Sequence, residues 1–292
     1  MTLPFVPSLA WAEKKHSNFS AAISLSKNKL RLRKVNKQSR NRWSAAGAGY
    51  QISQLRKQMA QESSAADVGD SSPASLKIVP KSYEYPLLED PHAILSPPTE
   101  GGETLANRGG FTYFHYGCDG HQDAGWGCGY RTLQTAVSWI HRRRGCDDHV
   151  PSIREIQEIL VELGDKGPKF QGSRDWIGTL EEFYVIDVLH QVPCKILHAT
   201  ELSSPEILGQ IRGYFEKYHG FIAMGGLSDT SSKAITGYHR SAEDRVFLQV
   251  VDPHFVGVPS SGQQLIDQGF VRWVPVDEFP ASTYNLCLIL QP

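Results

Sequence analysis

A cysteine framed by glycines is the side chain in this sequence best placed to act as a nucleophile. In HYGCDGHQDAGWGCGYRTLQT, Cys128 lies between Gly127 and Gly129, where a polar loop gives way to a run with helical spacing. A thiol at a helix N-terminus feels the positive end of the dipole and the unpaired N–H groups of the first turn, and both favour thiolate. The glycines are expected to let the backbone bend sharply and to leave the sulfur accessible. The N–H of Cys128 can then donate to a developing oxyanion. A thiolate nucleophile needs a base, and the base needs a group to orient it. VFLQVVDPHF supplies both, because Asp252 and His254 are two residues apart and share a side of an extended chain. Pro253 between them suits a strand end beside a cleft.

Other polar clusters read differently. His115, Cys118, Asp119 and His121 are close in sequence, but their spacing fits no common zinc pattern. They are expected to form a loop beside the site, and neither a metal nor a cofactor is expected. Trp126 is a candidate cleft wall. GSRDWIGTLEEF is expected to start a helix at Ser173, with Trp176 in the core, and HRRRG at residues 141–145 to be a solvated helix C-terminus. No glycine loop followed by GK[ST] is present, so a Walker-type nucleotide site is not indicated.

Helices and strands must bring these groups together. Leu133, Val137 and Ile140 recur with helical period before Gly145, and Ile153, Ile156, Leu160 and Leu163 do so after a candidate N-cap at Ser152, with Gly164 as the stop. TLEEFYVIDVLHQV and SPEILGQIRGYFEKYHG read as two further helices. GFIAMGG, DRVFLQVVDPHF and YNLCLIL are apolar runs bounded by turn residues, as buried strands are. Helices come first and strands gather late, so the fold class is α+β with one antiparallel sheet. No internal repeat is visible.

Composition bounds the rest. The formal net charge of −1 hides a split: residues 1–60 carry twelve basic side chains and one acid, Glu13, leaving 18 basic and 30 acidic residues beyond. A nucleic-acid binder would be basic throughout, so none is needed for activity. Residues 1–80, rich in Lys, Arg and Ser and closing on a polar linker, are expected to be a disordered arm, and 81–292 to be the folded domain. An organelle transit role for the arm is the minority reading. Five cysteines without a CxxC pair argue against a disulfide scaffold and for a reducing, cytoplasmic compartment. No apolar run approaches the ~18 residues that span a bilayer.

YGCDGHQDAGWGCGYRTLQT, GDKGPKFQGSRDWIGT and VVDPHFVG, closing on YNLCL, strongly resemble the cysteine proteases specific for ubiquitin-fold modifier 1, in that family's order. The likeness runs from about Phe111 to Leu290 and is closer to the short, single-domain members. It implies a papain-like fold with Cys128 as nucleophile, His254 as general base and acid, and Asp252 orienting it. It also matches Tyr116 to the tyrosine that supplies an oxyanion hydroxyl. The residues alone do not choose Tyr116 over Tyr113 or Tyr130. The implied activity is cleavage after the modifier's C-terminal glycine, on the precursor and on lysine conjugates, by a monomer without a cofactor. Association with the endoplasmic reticulum surface is compatible with this. The autophagy-related cysteine proteases share a GWGC segment and a DPH pair, but GYRTLQT and GSRDWIG favour the modifier branch. A modifier-binding adaptor that has lost turnover is the other alternative. It would have no need to keep all four side chains.

Overall fold

The amphipathic run beginning at the candidate nucleophile forms one long helix, α1 (Cys128–Arg144), whose buried face includes Leu133, Val137 and Ile140. These elements come from a computed structural model that describes residues 78–291 except Asp147 and Asp229. The expected basic arm lies outside the described residues, save for its last three. Of those, Ile78 packs on the helical core and the Val79 N–H donates to Glu155. Helix α1 ends at Gly145 in the left-handed region, φ 63°; Gly145 N–H donates to Arg142 O and Cys146 N–H to His141 O, a Schellman closure.

Helix α2 (Ile153–Glu162) begins on the expected Ser152 cap, where Glu155 completes a capping box. Helix α3 (Thr179–His190) starts six residues later than the sequence suggests. Residues 173–178 stay irregular because their carbonyls are held from outside: Gln157 Nε2 donates to Ser173 O and Tyr130 Oη to Asp175 O. Trp176, expected in the core, is 37% exposed in this loop. Helix α4 (Pro205–Tyr218) is capped by Ser204.

Among the described residues one seven-stranded sheet forms, antiparallel at every pairing. Its strands are β1 (Glu103–Ala106), β2 (Cys194–Ala199), β3 (Ile222–Gly226), β4 (Ser232–Arg240), β5 (Val246–Val251), β6 (Val271–Pro275) and β7 (Tyr284–Ile289). The order is β2-β7-β3-β4-β5-β6, and β1 pairs with the far half of β4. A short helix, α5 (Gly262–Asp267), precedes β6. Alternate residues divide between two cores: Ala234 and Val251 join the α1–α3 side, whereas Ile235 and Val250 join the side covered by α4. The resulting α+β architecture sets α1 across β3 and β4.

Candidate active site

Cys128 is the first residue of α1, and no acidic side chain sits in that first turn to oppose a thiolate. The flanking glycines are required by close packing. A Cβ on Gly127 would come 2.1 Å from Asp123 Oδ2, and one on Gly129 would come 2.6 Å from Ile177 O. Neither has a positive φ, so the expected sharp bend is not their purpose. The thiol is also less open than expected, since Cys128 is only 8% exposed.

Asp252 and His254 come from the chain leaving β5. They do not lie on an extended strand. The backbone turns at Pro253, and Asp252 Oδ1 accepts both the His254 N–H (3.0 Å) and His254 Nδ1–H. The ring is thereby fixed with Nε2 left for the Cys128 thiol, which acts on its titration. Burial opposes charge on His254, but Asp252 and Cys128 together raise its pKa to about 9. Burial likewise opposes a thiolate at Cys128, yet His254, the Ser232 N–H and Tyr116 hold its pKa below the ordinary thiol value. Asp252, despite burial, is held below the usual carboxylate range by His254 and Lys233. Both shifts favour a thiolate–imidazolium pair over a neutral thiol and imidazole.

Tyr116 completes the group. Its hydroxyl and the Cys128 thiol influence each other's titration, its ring lies edge-on to His254 at 5.2 Å, and its N–H donates to Pro253 O. Burial, with the charge of Cys128, raises its pKa well above the usual phenol value, so the hydroxyl stays a donor. The other two tyrosines are spoken for: Tyr113 Oη donates to Asp252 O and Tyr130 Oη to Asp175 O. Trp126 is buried between Tyr130 and His121, so little of it faces a cleft.

Two supporting residues escaped sequence reasoning. Arg131, fully buried, makes paired bonds to Asp123 (2.8 and 2.9 Å) and Asp119 (2.7 and 3.0 Å), and its Nη1 also donates to Cys118 Sγ. It binds the loop carrying Tyr116 to the helix carrying Cys128. Glu182 of α3, 0% exposed, accepts from Ser232 Oγ at 3.3 Å. Burial, chiefly, raises its pKa to about 8, so at neutral pH it is mostly a neutral acid behind the strand whose N–H faces the thiolate.

Residues 102–287 match peptidase family C78. The chain is 80% identical over 234 residues to the "Probable Ufm1-specific protease 1" of Drosophila melanogaster, covering 80% of this chain and all of that one. It is 36% identical over 211 residues to the "Ufm1-specific protease 1" of Mus musculus, covering 69% of this chain and 93% of that one. Among solved structures it is similar to the UfSP of C. elegans, with a TM-score of 0.59 at 28% identity, over 70% of this chain and 38% of that one.

Proposed function

The chain belongs to peptidase family C78 and is a papain-like cysteine protease, and on that footing we propose that Cys128 is its nucleophile, His254 its general base and acid, Asp252 the group orienting His254, and Tyr116 an oxyanion donor. Its activity is that of a Ufm1-specific peptidase. The observation carrying the assignment is that Tyr116 and His254 both bear on the Cys128 thiol while Asp252 holds the His254 ring by hydrogen bonds.

The thiolate attacks the carbonyl carbon of the modifier's C-terminal glycine. The oxyanion that forms takes hydrogen bonds from Tyr116 Oη and the Cys128 N–H. His254 passes its proton to the leaving amine as the C–N bond breaks, then takes a proton from the water that hydrolyses the thioester. Leaving amines are the residue after glycine in the precursor and a lysine Nζ in conjugates. Glycine suits a cleft that only a bare backbone threads. All four groups come from one chain, which supports a monomer, and nothing in the chemistry calls for nucleic acid. The five free cysteines support a cytoplasmic location, and no helix among the described residues is long and apolar enough to cross a membrane. The division into an arm at residues 1–80 and a protease domain at 81–292 belongs to the same proposal.

Ufm1 carrying an electrophile at its C-terminus tests this reading. The full chain should form a covalent adduct at Cys128, and Cys128→Ser should form none while still binding. Binding without any adduct would make the protein an adaptor. Faster labelling by an autophagy-type modifier would move it to that branch.

A further inference from the structure

The other end of α1 gathers a second set of donors. Thirteen residues at about 1.5 Å rise put His141 about 20 Å along the helix from Cys128. The Schellman closure at Gly145 folds the chain back so that Cys146 lies beside His141, and Asp148 follows two residues on. One ring nitrogen of His141, Cys146 Sγ and an Asp148 carboxylate oxygen all lie within 4.8 Å of one another. His141 is buried, Cys146 half-buried and Asp148 exposed, so the group has a fixed floor and an open mouth. His190, the last residue of α3, stacks edge-on to His141 with ring centroids 4.9 Å apart. Its Nε2 is buried and makes no hydrogen bond.

We propose that His141, Cys146 and Asp148 bind a divalent ion of the zinc class. Imidazole, thiolate and carboxylate form the donor mixture that suits Zn²⁺ and Co²⁺, whereas Mg²⁺ and Ca²⁺ take oxygen alone. Tetrahedral zinc, with bonds of about 2.0–2.3 Å, sets its donors roughly 3.3–3.8 Å apart. Closing the group therefore takes a contraction of about an ångström, within reach of two residues beyond the helix cap. Three protein donors leave a fourth position for His190 or water. The ion would tie the end of α1 to the loop leading into α2, and so brace the nucleophile helix from its far end without touching the reacting atoms. The pattern HRRRG at residues 141–145, read as a solvated helix end, conceals the site because its histidine is buried.

Cobalt titration of the full chain in a Cys128→Ala background, which removes the competing catalytic thiol, reads the site directly. The expected result is a thiolate-to-cobalt charge-transfer band with tetrahedral d–d absorption, and a melting temperature that rises with added Zn²⁺. Cys146→Ser should abolish the charge-transfer band. Asp148→Asn, at an exposed position, should weaken cobalt binding at least about tenfold, the scale set even by outer-shell partners. Both variants should melt like their parent in chelator. Absence of the charge-transfer band, or a band that survives Cys146→Ser, would overturn the proposal. So would cobalt affinity unchanged by Asp148→Asn.

Discussion

The two ends of α1 each bring a cysteine, a histidine and an aspartate together, and under the proposed assignment only one end makes a reactive thiol. At the start of the helix Asp252 reaches Cys128 only through the imidazole of His254, so the sulfur faces positive charge, N–H groups and a phenol. Beyond the other end Asp148 faces Cys146 directly, and burial and that carboxylate push its pKa up. The helix dipole acts in the same sense, favouring an anion at the first end and opposing one at the second. Residue types therefore do not define a nucleophile. What defines it is the group that stands between acid and sulfur, together with the end of the helix on which the sulfur sits.

The largest effect comes from stripping the first end of what the second lacks. Tyr116→Phe keeps the ring and its packing on His254 but removes the hydroxyl that acts on Cys128. Loss of one oxyanion donor should lower kcat about 10²–10³-fold with KM little changed, because the bond matters mainly in the transition state. Steady-state kinetics on a Ufm1 fusion measure it, and a rate near wild type would take Tyr116 out of the mechanism.

A smaller contrast should appear when both thiols meet the same reagent. In brief iodoacetamide treatment at neutral pH in the presence of chelator, Cys128 should react at least about tenfold faster than Cys146 despite being the more buried of the two. The Cys128 rate should hold from its lowered pKa upward, whereas that of Cys146 should climb only in alkali. Turnover, which also needs the imidazolium, should decline as pH rises through about 9, where His254 gives up its proton. Peptide mapping across pH decides the first point, and equal labelling at neutral pH would erase the distinction between the two ends.

The smallest effect concerns stability behind the nucleophile. Glu182 has a folded pKa raised from 4.5 to about 8, so its contribution is fully present below 4.5 and is lost as pH rises through about 8. Glu182→Gln keeps shape and neutrality without a titrating proton. Its melting temperature should exceed that of wild type by a few degrees at pH 8, with the gap closing toward pH 4.5. Parallel melting curves at both pH values would mean that Glu182 is already ionised in the fold.

Sequence patterns exposed the parts of the fold that bury one face or form continuous apolar runs. Helices α1 to α4 and strands β3, β5 and β7 were legible on that basis. Strand β1 is too short to show a period, and β4, SKAITGYHR, mixes a lysine, a glycine at a bulge and a buried histidine. Strand β2 hides its period behind exposed Lys195 and His198, and β6 is broken by Arg272 and a closing proline. In the site, the Cys128, Asp252 and His254 pattern was visible because small, rigid or charged residues flank each member. Arg131 was not, since a basic residue on a helix normally reads as surface until two aspartates from the preceding loop are seen to enclose it. Glu182 was hidden for a similar reason, as its partner Ser232 lies fifty residues away.

The latch between Tyr116 and the chain leaving β5, through Pro253 O and the bridge to Val256, has a consequence for how the protein is born. On the ribosome Cys128 emerges long before Asp252 and His254, and in that interval it is an ordinary thiol with no imidazole beside it. Only when the last strands have been made and paired does the sheet deliver His254 to the helix and Tyr116 to the sulfur. A nascent or truncated chain thus carries no activated thiolate, and the arrival of peptidase activity marks the completion of the fold.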